Sequence, residues 1–182
     1  MTAAELLSVA AFIDGRYAQA FPSFGSERTG APVVAFCRIA EQPIRSREPI
    51  ANPDALIVQD VTLLHLADLF AGVRRDGFLL LNSPRAPEEL ALEAFGGDLD
   101  SDRVQTVPAT EMALARVGRP VPNTVLLGGF AALTRQVSLE AVLEAIHRRF
   151  PGKVGELNQA AASDAHDYVR EHLEAFAAVP AD

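Results

Sequence analysis

Apolar residues recur at helical spacing from the start of the chain. Ala3, Leu6, Leu7, Ala10, Ala11 and Phe12 fall three and four apart, so the pattern predicts a helix over 2–14 with Gly15 as its stop. Thr2 stands in the N-cap place and Glu5 three residues on, the capping-box spacing. The period then changes. Tyr17 to Phe21 reads as an extended approach, FGSERTGAP as a polar turn, and Val33 to Ile39 as an apolar strand, together a hairpin. A short β-rich run follows at 55–58. Leu63, Leu66, Leu69, Phe70 and Val73 predict a helix over roughly 62–75, and Gly77 ends it. A buried-type strand at 78–81 closes in Asn82-Ser83-Pro84. Pro87 with Glu88 and Glu89 suits a helix start, so a helix is expected over 87–95, up to Gly96 and Gly97. A strand at 104–107 leads through Pro108 into a helix over 111–117.

Alternation of strands and helices predicts a mostly parallel sheet with helices on both faces, and the pair at 17–40 is its antiparallel exception. From Pro122 onward the pattern is almost wholly helical: 123–133, apolar on nearly every side; 139–150, capped by Ser138; and 154–176. A helix apolar all round must be buried. Gly128 and Gly129 allow either a neighbouring subunit or an internal helix–sheet contact to come close. The expected organisation is a single domain over 1–182, with an α/β part at 1–121 and a helical part at 122–182.

Composition narrows the chemistry. The 182 residues are 49% hydrophobic and 22% charged, globular values for a chain able to bury a core. A net charge of −8 argues against non-specific nucleic-acid binding. Fifteen of the sixteen cations are Arg. The one lysine, Lys153, follows no glycine-rich loop, which removes a P-loop. Cys37 is the single cysteine, too few for a disulfide or for an iron–sulfur cluster held by this chain. It reads as a core thiol between Phe36 and Ile39, with a redox role as the other reading. His65, His147, His166 and His172 show no zinc-ligand spacing. No apolar run is long enough to span a bilayer and no leader pattern opens the chain, so a cytoplasmic protein with no membrane contact is expected.

Two stretches carry candidate binding chemistry. The turn places Ser26, Glu27, Arg28 and Thr29 between Gly25 and Gly30, longer than the roughly two to five residues that merely reverse a hairpin. One cation among small donors suits an anionic or polar ligand; a solvated loop is the alternative. Arg38, Arg45 and Arg47 could likewise hold a carboxylate or phosphate, or simply be solvated. Asn123-Thr124 opens the buried helix, where free N–H groups favour an anion, or where either side chain simply caps.

These residues also resemble a known family. YAQAFPSFGSERTGAPVVAFCRI, then EPI and PDALIVQD, then PNTVLLGGFAAL, SLEAVLEAIHRRFPGK and ELNQAA, are similar to the gamma subunit of the 2-oxoacid:acceptor (ferredoxin) oxidoreductases, from Thr2 to about Ala162. The resemblance implies a Rossmann-like fold and a non-catalytic subunit of an enzyme that oxidatively decarboxylates a 2-oxoacid to an acyl-CoA, passing electrons to ferredoxin or a similar acceptor. It implies alpha and beta partners holding thiamine pyrophosphate and Mg2+, with [4Fe-4S] clusters in the beta chain or in a ferredoxin-like delta chain. By the same resemblance, the loop with Ser23, Gly25, Ser26, Arg28, Thr29 and Gly30, together with Asn123 and Thr124, binds or guides coenzyme A. Glu27 and Arg28 could alternatively meet a partner subunit.

The resemblance also implies something missing. Family members begin with a strand and a Gly-Gly-Gln-Gly type turn running into the Thr-Ala-x-x-Leu helix, and Met1 stands at the end of that turn. Either the initiator lies inside the natural gene and the subunit is longer by roughly a dozen residues, or the sheet lacks an inner strand. Two rivals remain: a free-standing nucleotide-binding enzyme, against which no GxGxxG follows a strand, and a structural scaffold with no ligand of its own.

Overall fold

The computed structural model describes residues 2–23, 33–65, 69–95 and 99–178. Its first helix, α1 (Thr2–Ile13), buries Ala3, Leu6, Leu7, Ala10 and Ala11, the stripe expected from their spacing. Thr2 is already helical rather than the cap. At the other end Gly15 takes φ 81, and the amide of Arg16 reaches the Ala11 carbonyl, a glycine-terminated helix end. Strands β1 (Tyr17–Pro22) and β2 (Ala35–Ala40) pair antiparallel, Tyr17 opposite Ala40 and Pro22 opposite Ala35. Strands β3 (Ala55–Val58), β4 (Phe78–Asn82) and β5 (Val104–Val107) form a separate parallel sheet in that order. Then come α2 (Ala109–Val117), α3 (Asn123–Thr134), α4 (Leu139–Arg149) and α5 (Lys153–Ala177).

Strand alternation divides the interior in two. Ala55, Ile57, Phe78 and Leu80 face a main core built from α1, α3, α4 and α5, and Ala18, Cys37 and Ile39 of the hairpin pack on the same core. Leu56, Val58, Leu79 and Leu81 face a second cluster with Leu64, Phe70, Leu90 and Leu92. The apolar helix α3 is buried by its own chain. A Cβ on Gly128 would lie 1.8 Å from the Ala162 carbonyl oxygen of α5, so these helices touch backbone to backbone.

Among the described residues, two expected helices are not formed. The span 62–75 instead begins as a 3-10 turn, Val61–His65. Gly72 sits at φ 76 with its α-carbon against the Ala51 carbonyl, a left-handed position that ends any helix there. The span 87–95 is two 3-10 turns, Pro87–Leu90 and Leu92–Phe95, parted by Ala91 at φ 48. Leu90 and Leu92 both enter the second core, and an α-helix cannot turn residues two apart to one side.

Candidate functional site

The hairpin fixes where the candidate loop leaves the protein. The Ser23 amide donates to the Val34 carbonyl at 2.9 Å, closing the base of the loop just beyond the last strand pair. Gly25, Ser26, Glu27, Arg28, Thr29 and Gly30 lie outside the described residues. Below the loop, the strand face turned from the main core carries Phe21 and Phe36 in tilted contact at 5.4 Å, with the Arg38 guanidinium 5.4 Å over the Phe21 ring. Arg38 also donates to the Ser46 carbonyl at 3.4 Å. Arg38 is thus half-buried and held at the hairpin, whereas Arg45 and Arg47 are exposed. Phe21, Phe36 and Arg38 thus form an aromatic and cationic cluster on that strand face.

At the front of α3, Asn123 and Thr124 have different surroundings. Asn123 is half-buried and is the first residue of the helix, and its Oδ1 accepts the Thr124 amide at 2.8 Å. Its Nδ2 has no hydrogen-bond partner among the described residues. Thr124 is fully buried. Its hydroxyl meets Asn158 Oδ1 of α5 at 2.7 Å, and Asn158 Nδ2 donates to the Val154 carbonyl at 2.8 Å. Thr124 therefore ties α3 to α5 inside the core, and of the two residues Asn123 is the one with polar capacity left. Ser23 and Asn123 are carried by different elements, the hairpin and the buried helix.

Cys37 packs on the main core, and burial pushes its thiol up to about 12. A thiol kept protonated is neither a nucleophile nor a metal ligand at neutral pH, which agrees with the core-thiol reading. On α5, His172 stacks on Tyr168 at 4.0 Å with its Nδ1 2.7 Å from the Tyr168 carbonyl. His166 lies 3.6 Å from Asp167. These are contacts along one helix surface. No group of three or more His, Cys, Asp or Glu among the described residues could hold a metal ion, and no helix among them is long and apolar enough to cross a membrane.

The C-terminal ends of the parallel strands, where doubly wound folds place their ligands, carry an arrangement that sequence reasoning took for a simple strand end. Asn82 Nδ2 donates to the Gln59 carbonyl at 2.9 Å and to Thr110 Oγ1 at 2.8 Å, and its Oδ1 accepts the Thr110 amide at 3.1 Å. One side chain thereby joins the ends of β3 and β4 to the first turn of α2 and takes up an amide that a phosphate would need. The Asn82-to-Thr110 separation hid this latch, because no local pattern connects them.

Comparisons with known proteins agree over most of the chain. The family model described as pyruvate ferredoxin/flavodoxin oxidoreductase matches residues 1–168. Pyruvate synthase subunit PorC of Methanothermobacter thermautotrophicus is 44% identical over 171 residues, 94% of this chain and 89% of that one. The pyruvate/ketoisovalerate oxidoreductases common subunit gamma of Pyrococcus abyssi is 44% identical over 167 residues, 92% of this chain and 89% of its own. The crystal structure of pyruvate oxidoreductase subunit PORC from Thermotoga maritima superposes with a TM-score of 0.76 at 35% identity, covering 91% of this chain and 87% of that one. By these shares the relatives are the longer chains.

Proposed function

This chain belongs to the pyruvate ferredoxin/flavodoxin oxidoreductase family, and from that premise we infer that it is the gamma subunit of a cytoplasmic 2-oxoacid:acceptor oxidoreductase, assembling with alpha, beta and ferredoxin-like delta subunits. The observation that carries this reading is the near end-to-end match to proteins that are themselves named as separate subunits. Thiamine pyrophosphate, Mg2+ and [4Fe-4S] clusters belong to the other subunits, where they carry the decarboxylation and the electron transfer.

The chain's own contribution is assembly and access for coenzyme A. Its phosphates suit Arg28 with the hydroxyls of Ser26 and Thr29, on a loop whose turns Gly25 and Gly30 permit and whose base Ser23 closes. Asn123 adds an unused amide at a helix start, and Thr124 holds that start in place. In the reconstituted complex, Arg28→Ala and Asn123→Ala are expected to raise KM for coenzyme A about tenfold, the loss of one charge-assisted contact, with the native mass of the complex unchanged. An unaltered KM refutes the coenzyme role. Loss of assembly with normal kinetics in whatever complex remains selects the scaffold reading. Turnover of a 2-oxoacid by the isolated chain would refute the subunit assignment itself.

A further inference from the structure

The sequence marks Arg38, Arg45 and Arg47 as candidate anion binders, and neither core uses them. The fold gathers them. Arg38 of β2 donates to the Ser46 carbonyl at 3.4 Å, and Ser46 stands between Arg45 and Arg47, which are both exposed. The segment beside the hairpin is thus tied down at the residue its two arginines flank. None of the three pairs with a carboxylate among the described residues, whereas Arg16, Arg74, Arg75, Arg116, Arg148 and Arg170 each do. In a chain of net charge −8, three cations left together without an acid make a local region of positive potential.

The hairpin adds aromatic surface beside them. Directly opposed residues of an antiparallel pair share one side, so Tyr17, Gln19 and Phe21 of β1 stand with Phe36 and Arg38 of β2, turned from the main core. Tyr17 is 48% exposed, and Phe21, Phe36 and Arg38 are each partly open. Stacked over Phe21 and bonded to one carbonyl, Arg38 is restrained before any ligand arrives. Rings next to guanidinium groups are surfaces on which a base stacks while its phosphates are held. The acidic balance of the chain argues against a nucleic acid, which leaves a ligand with a single nucleotide unit.

We propose that this face of the hairpin binds the phosphorylated adenosine end of coenzyme A, with Arg45 and Arg47 on its 3′-phosphate. The ligand's identity rests on the function proposed above; the site rests on the arginines and rings. A terminal phosphomonoester carries about −1.5 to −2 charge at neutral pH, more than either phosphate of the pyrophosphate bridge. Clustered arginines match the former, and the single Arg28 of the loop matches the latter. Arg38 lies three residue pairs from the Pro22–Ala35 pair that leads into the loop, on the order of 10 Å. One ligand can therefore touch both.

The reconstituted complex tests this with coenzyme A and dephospho-coenzyme A, which lacks only the 3′-phosphate. Wild type is expected to favour coenzyme A in kcat/KM by about tenfold to a hundredfold, the worth of charge-assisted contacts to one phosphate. Added salt should erode that preference. In the double variant Arg45→Gln, Arg47→Gln it should fall below about threefold, through a higher KM for coenzyme A alone. Competitive inhibition by adenosine 3′,5′-bisphosphate should weaken to the same degree, and it decides the matter where dephospho-coenzyme A is not turned over. Arg28→Ala should instead raise KM for both coenzymes, so failure of the loop reading and failure of this one are told apart. A wild type indifferent to the 3′-phosphate overturns the proposal, as does a double variant that keeps the preference or raises both KM values equally. Unchanged coenzyme kinetics with a higher KM for the protein electron acceptor assigns the arginines to an acidic partner surface and equally overturns it.

Discussion

Gly128 and Gly129 are neighbours in sequence with opposite surroundings, and replacing each by Ala gives a test of the α3–α5 contact. A Cβ at 128 would meet the Ala162 carbonyl oxygen at 1.8 Å and its carbon at 2.6 Å. Neither atom belongs to a side chain that can rotate away, so α3 and α5 must part by more than about 1 Å across a close-packed interior. Over-packing of this kind costs about 3 kcal/mol at the upper end, and the better helix propensity of Ala returns about 1 kcal/mol. At 129 the added methyl meets Val107 Cγ2 at 3.2 Å, Val169 Cγ2 at 3.3 Å and Leu80 Cδ2 at 3.5 Å. These are branch tips that shift by a few tenths of an ångström, so strain and propensity nearly cancel. Gly128→Ala should therefore destabilise by about 2 kcal/mol or more, and Gly129→Ala by less than about 1 kcal/mol. In a chain of this size the difference corresponds to roughly 3–8 °C in melting temperature, read by circular dichroism at 222 nm and checked by urea titration. If the two variants melt within about 2 °C of each other, or if Gly129→Ala is the weaker, the backbone contact between α3 and α5 is not as described.

Thr124→Val removes the donor to Asn158 Oδ1, leaving a buried acceptor unsatisfied. Urea unfolding should show a loss of about 1–3 kcal/mol, largely restored in Thr124→Ser; equal stability of Val and wild type would refute the buried bond. Cys37, its thiol pushed up to about 12 by burial, should react with iodoacetamide at pH 8 at least about 100-fold more slowly in the folded chain than in urea. The sign of the pH effect follows. The fold favours the protonated thiol, so this contribution to stability is complete below the ordinary thiol pKa and is lost as pH rises from there toward 12. Rapid native labelling, or stability that increases over that range, contradicts the burial of Cys37.

What the sequence determined by itself was the set of elements whose signals are local. The α1 stripe, the Ser138 cap and the three strands of the parallel sheet could be read because each is fixed by residues a few positions apart. The similarity of YAQAFPSFGSERTGAPV and PNTVLLGGFAAL to the gamma subunits was legible for the same reason, since both blocks are contiguous. Spans 62–75 and 87–95 misled, the first because its apolar spacing imitates a helix, the second because Pro87, Glu88 and Glu89 imitate a helix start. Their conformation is set by Gly72 packed on Ala51 and by Leu90 and Leu92 entering one core, contacts that periodicity does not encode. Only the tertiary structure decided that Gly128 meets Ala162 within the same chain, that Thr124 is turned inward while the Asn123 amide has no partner among the described residues, and that Asn82 closes the end of the sheet on Thr110. Each depends on which residues distant in sequence become neighbours.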